Sequence, residues 1–187
     1  MRRRLFLRML VSGVLTVPVA GAAIAHTPYR QWTVLRQRFL LVHSSRTDPV
    51  SDAIADQIVE ILDRVLPQAN AMVARAPDEQ RIASLITTGQ AVIAVMRADR
   101  AVDLFRRQGE FKDYQGEMLR ALVEIDDHIV VTTEAFPRRH GWLVTSALVE
   151  GGGQLGVRVV TDSTGSDVLP HEGALAFARG EPLKVSE

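Results

Sequence analysis

Three arginines lie where an apolar run gives way to a polar stretch: Arg46, Arg75 and Arg97. Arg46 sits in Ser44-Ser45-Arg46-Thr47, ahead of Asp48-Pro49. Arg75 precedes Ala76, and Arg97 precedes Ala98-Asp99. In open α/β sheets, ligands bind outside the carboxyl ends of the strands. Backbone N–H groups, hydroxyls and a helix dipole at such a place can hold an anion, and a guanidinium adds a charged hydrogen bond. The candidate ligand-binding residues are therefore Ser44, Ser45, Arg46, Thr47, Arg75, Arg97 and Asp99, and the expected ligand is a small organic anion such as a carboxylate. The competing reading is three solvated loop arginines.

Other constellations carry less chemistry. His43-Ser44 invites a nucleophile, but no Gly-x-Ser-x-Gly elbow surrounds Ser44, and neighbours on a strand point to opposite faces. Asp126-Asp127-His128 could offer metal oxygens and a nitrogen, but the spacing fits a polar turn before a strand better. The five histidines are scattered singly. Asp52 and Asp56 share a helix face without a partner that suggests acid/base work. With no cysteine in the chain, thiolate metal sites, disulfides and cysteine nucleophiles are excluded, and no Gly-rich phosphate loop is present. No catalytic residue, metal or cofactor is expected, and the chain is not read as an enzyme.

The 187 residues are enough for one domain with a sizeable core, at 47% hydrophobic and 24% charged residues. Arginine supplies nearly all the positive charge, since Lys112 and Lys184 are the only lysines. Four arginines precede His26 and no acid does, so residues 26–187 carry an excess of acids. A mildly acidic domain is a poor nucleic-acid binder, because phosphate contacts need clustered Lys and Arg.

The N-terminus has a different character. Arg3-Arg4-Leu5-Phe6-Leu7-Arg8 fits the twin-arginine pattern, with Arg3, Arg4, Phe6 and Leu7 in its key places. A weakly apolar stretch follows, diluted by Gly13, Pro18 and Gly21. Ala23-Ile24-Ala25 is a small-x-small cleavage site ahead of His26. Two readings stand: a cleaved signal over 1–25, or an anchor that keeps the arginines on the cytoplasmic side. Both place residues 26–187 in the periplasm, free or held at the inner membrane, with membrane contact only through the N-terminal segment.

Periodicity outlines the elements that must position the arginines. A polar lead-in over 26–36 contains Tyr29 and Trp32. Residues 38–43 read as a buried strand, with 44–47 as loop. Asp48 is an N-cap with Pro49 at the first helical position, and Val50, Ile54, Ile58, Ile61 and Val65 form one apolar face of a helix stopped by Pro67. Strand 69–76 follows, then a helix from Pro77-Asp78-Glu79 that Gly89 ends. The apolar run 91–96 reads as a strand buried on both faces, and a helix is expected over about 99–107. Further strands are expected over 119–125, 128–133 and 155–160, and helices over 135–150 and 173–179. The alternation of strand and helix predicts an α/β fold with a mostly parallel sheet and flanking helices.

Several of these stretches resemble the extracytoplasmic solute-binding subunits of TRAP transporters, in the TAXI group. They are Arg81-Ile82-Ala83-Ser84-Leu85 through Gly89-Gln90-Ala91-Val92-Ile93-Ala94-Val95, the strand-loop-helix over 40–54, Leu119-Arg120-Ala121-Leu122 with His128-Ile129-Val130-Val131, the helix from Phe136-Pro137 to Leu148, and Leu169-Pro170-His171-Glu172-Gly173-Ala174. The resemblance implies one lobe of a periplasmic binding protein type II-like fold over 26–187, with the family's second lobe missing and its glycine-rich first loop replaced by Ser44-Ser45-Arg46-Thr47. It implies an exported solute-binding-like protein that contacts a small organic anion or a TRAP-type membrane component. The alternative is an envelope accessory module that kept the fold and lost the ligand. A periplasmic enzyme is a distant third.

Overall fold

A computed structural model describes residues 38–153, 155–161 and 167–183. The twin-arginine segment, the cleavage site and the lead-in with Tyr29 and Trp32 lie outside the described residues.

Eleven regular elements are described. They are β1 (Leu41–Ser45), α1 (Pro49–Val65), β2 (Met72–Ala76), α2 (Glu79–Thr87), β3 (Ile93–Arg97), α3 (Ala98–Arg106), β4 (Leu119–Ile125), β5 (His128–Thr133), α4 (Arg138–Gly151), β6 (Arg158–Val159) and α5 (Glu172–Ala178). Side-chain alternation along β3 shows the layering. Ile93 and Val95 pack with α1 and α4, against Ile54, Ile58, Val144 and Leu148. Ala94 and Met96 pack with α2 and α3, against Ile82, Ile86 and Leu104. A strand buried on both faces has no polar face to spare, which explains the continuous apolar run. The result is an α/β domain with helices on both sides of one sheet.

The sheet order is β2-β1-β3-β5-β4-β6. β1 pairs in parallel with β2 and β3. The other three pairings, β3 with β5, β5 with β4 and β4 with β6, are antiparallel. The sheet is therefore mixed, which corrects the expectation of a mostly parallel one. The cause is local. Only Asp126 and Asp127 separate β4 from β5, and a two-residue connection can join strands only as an antiparallel hairpin. Asp126 takes the left-handed conformation this turn needs, at φ 52°. A bulge between Ala121 and Val123 shifts the β4–β5 register, and Leu122 and Val123 both join the α1/α4 side of the core.

Two bounds move in ways that matter for the site. β1 runs to Ser45, so Ser44 and Ser45 are strand residues and not loop; both are buried. Paired with β2 and covered by α1, this strand end keeps its polar side chains only by bonding them internally. β2 starts at Met72, because Pro67–Ala69 form a single 3-10 turn and Asn70 is left-handed. The strand expected over 155–160 is only Arg158–Val159.

Candidate functional site

The strand order reverses between β1 and β3: the chain leaves β1 for an outer neighbour on one side and returns to pair on the other. α1 and α2–α3 diverge above this point onto opposite faces, and a groove opens there. One part of it, about 400 Å³, is lined by Thr47, Asp48, Glu79, Arg97, Asp99 and Arg100. A contiguous part, about 360 Å³, shares Thr47, Glu79 and Arg100 and adds Asp78, Gln80 and Glu110. Of the residues expected from the sequence, Thr47, Arg97 and Asp99 meet here. Arg46 is exposed beside Thr47, while Ser44 and Ser45 lie buried beneath.

The loop that leads into α1 is closed on itself. Asp48 Oδ1 accepts from the Val50 and Ser51 N–H groups, at 3.1 and 3.2 Å. Arg46 N donates to Ala76 O at 2.9 Å, Asp48 N to Ser45 O at 3.1 Å, and Asp52 N to Asp48 O at 3.2 Å. Thr47 N donates to Ser45 Oγ and Ser45 N to Ser51 Oγ, each at 3.3 Å. Every backbone N–H from Ser45 to Asp52 thus has an acceptor within the chain. The N-cap that makes α1 legible in the sequence is the group that occupies the donors an anion would need. At α2, Asp78 likewise accepts from Arg81 N at 2.7 Å.

The arginines are also engaged. Arg75 donates to Asp52 at 3.0 Å and to both Asp56 oxygens at 2.8 Å. Those two carboxylates raise its pKa further above the ordinary arginine value, the Asp52 hydrogen bond most of all. Asp52 and Asp56 thus hold Arg75 against α1. Arg75 does not line the groove. Ser44 Oγ completes this cluster by donating to Asp52 at 2.9 Å. Arg97 reaches back to Asp99 at 3.1 and 3.0 Å, and this bond holds the Asp99 carboxyl below its usual range. The sequence did not point to Arg100, which is the most heavily engaged of all. It pairs with Glu79, Asp103 and Glu110 and stacks over the Phe111 ring at 4.7 Å. The Arg46 side chain makes no ion pair among the described residues.

The least expected member is His128. Its ring is buried, with Nε2 2.9 Å from Asp48 Oδ2 and Nδ1 2.7 Å from Asp127 Oδ1. A turn-then-strand reading of Asp126-Asp127-His128 holds for the backbone. It misses that the ring crosses to the α1 N-cap, because nothing local to either residue marks a partner 80 positions away.

A second cavity, about 320 Å³, lies at the opposite end of β1. Phe39, Leu40, Leu66, Phe136, Leu143 and Val144 give it an apolar lining. Among the described residues, no group of three or more His, Cys, Asp or Glu side chains is placed to hold a metal ion. No described helix is long and apolar enough to cross a membrane.

Compared with known proteins, the chain matches no protein-family model and no curated protein sequence.

Proposed function

We propose that this chain is an exported, single-lobe solute-binding-type protein of the TRAP/TAXI kind, a binding rather than a catalytic protein, whose groove above β1 and β3 contacts a small organic anion or a transporter component. The observation that carries the reading is the groove's position: it lies where the strand order reverses, the place where open α/β sheets bind ligands. Thr47, Arg97 and Arg100 line it with a hydroxyl and two guanidinium groups among the carboxylates of Asp48, Glu79 and Asp99, and Arg97, bonded to Asp99 through Nε and Nη2, still has the N–H groups of Nη1 for a second carboxylate.

The test is thermal unfolding of the protein against a panel of dicarboxylates and amino acids. A ligand at 100 times its Kd adds about 2.7 kcal/mol, or roughly 2–4 °C per kcal/mol for a domain of this size. The expected result is such a shift, lost in Arg97→Ala. A flat panel counts against the ligand.

The second reading is a ligand-incompetent envelope module that docks another protein. It is favoured by the internal pairing of Arg97 and Arg100 and by the filled α1 N-terminus. Under it the panel is flat, and crosslinking through the groove captures a membrane or envelope partner that Arg97→Glu no longer captures.

A further inference from the structure

His128 begins β5 with its side chain 3% exposed, between a carboxylate from the β1–α1 loop and one from the β4–β5 turn. An imidazole can donate from both nitrogens only as the imidazolium. Arg97 is the β3 register partner of His128, its guanidinium is turned to Asp99, and Glu79 and Arg100 line the groove with Asp48 beside it. The β4 partner is the apolar Ile125.

The two carboxylates are not equivalent. The Asp48 side chain is 15% exposed and is pinned by the Val50 and Ser51 N–H groups through its other oxygen. The Asp127 side chain is 73% exposed, with water within reach and His128 as its one hydrogen-bond partner among the described residues. A neutral ring has one N–H and one bare lone pair. With its proton on Nε2 it keeps Asp48, and the bare Nδ1 then repels the Asp127 carboxylate, which can turn into water.

We infer that His128 is a proton-operated latch on the Asp127 side chain: charged, the ring holds the Asp127 and Asp48 carboxylates together; neutral, it keeps Asp48 and lets go of the Asp127 side chain, while Asp127 O stays bonded to Ala98 N at 2.8 Å. No ligand is needed for this, so it stands apart from the function proposed above. Its consequence reaches the groove through charge. Asp127 already contributes to the field at Arg97, and its release with loss of the ring proton makes that corner more negative.

The experiment is an NMR titration of the isotope-labelled protein, following the His128 ring nitrogens and the amides of Val50, Ser51, Asp126 and Asp127. The expected result has four parts. Both ring nitrogens carry protons on the acid side, the Nδ1 proton leaves while the Nε2 proton stays, the Asp126 and Asp127 amides shift in that same step, and Val50 and Ser51 do not. In Asp127→Asn the side-chain amide can either accept or donate, so it stays bonded in both ring states and the Asp126 step disappears. A step at Val50 and Ser51, retention of the Nδ1 proton, a ring with one proton throughout, or an Asp126 step that survives in Asp127→Asn would each overturn the latch. If that variant does not fold, the wild-type titration decides alone.

Discussion

Gly141 on α4 and His171 at the start of α5 meet so closely that a Cβ on Gly141 would overlap the imidazole ring. The ring cannot move aside. Its Nδ1 accepts from Gly173 N at 3.0 Å, capping α5, and its Nε2 bonds Phe136 O at 2.9 Å. Gly173 is equally confined, facing Arg138 O and Trp142 N. The His-x-Gly-Ala element is therefore a packing device for two helices. Gly141→Ala should destabilise the protein by about 1–3 kcal/mol through overpacking, read as a lower urea midpoint. Gly153→Ala, where a Cβ meets nothing within 4 Å, is the control and should leave the midpoint nearly unchanged.

Helix α1 offers a graded test of burial. Its expected apolar face ran from Val50 to Val65, but the middle is buried and the ends are not: Ile58 is 0% exposed and Val50 is 54% exposed. Ile58→Ala should cost about 2–5 kcal/mol. Val50→Ala should stay within about 0.5 kcal/mol. Chemical denaturation of both variants checks the contrast, and equal costs would refute the packing described for this helix.

His171 makes stability depend on pH above the carboxylate range. Burial disfavours its charged form and lowers its pKa from the ordinary 6.5, against the opposing hydrogen bond to Phe136 O. The folded chain therefore binds this proton less readily than the unfolded chain. The contribution is fully present above about 6.5 and is lost as pH falls below it through the folded value. His171→Asn keeps an N-cap acceptor that does not titrate, so its unfolding free energy should lose this part of the slope.

A second pH effect belongs to Asp48. Partial burial works to raise its carboxyl pKa, but the hydrogen bonds from His128 and from the Ser51 and Val50 N–H groups outweigh it and hold the group below the ordinary 3.8. Its stabilisation is complete above about 3.8 and is lost as pH falls through the lowered folded value. Asp48→Asn should flatten that acid slope while keeping the cap. Asp48→Ala should cost about 1 kcal/mol for the cap and about 1–3 kcal/mol more for a buried His128 nitrogen left without its acceptor. Urea unfolding at pH 7 separates the two variants.

What could be read along the chain was what depends on neighbours along the chain. Asp48-Pro49 marks a helix start because an N-cap oxygen and a proline act within one turn, and α1 begins at Pro49. Gly89 marks the end of α2 because a left-handed residue is needed there, and its φ is +66°. β4 and β5 fall at 119–125 and 128–133, as their apolar and β-branched runs require.

The strand directions, the state of the arginines and the role of His128 were decided by tertiary structure. A polar stretch such as Ser44-Ser45-Arg46-Thr47 has the same composition whether its donors are free or filled. Only the arrival of α1 and β2 at the same end of the sheet fills the Ser45 and Arg46 N–H groups. The sequence by itself determined a domain of strands and helices and the three strand ends where arginines stand. The fold decided that Arg75 would be bound to Asp52 and Asp56, Arg97 to Asp99, and His128 to Asp48, because ion pairs and buried hydrogen bonds form between groups brought within about 3 Å, and that proximity belongs to the packed chain.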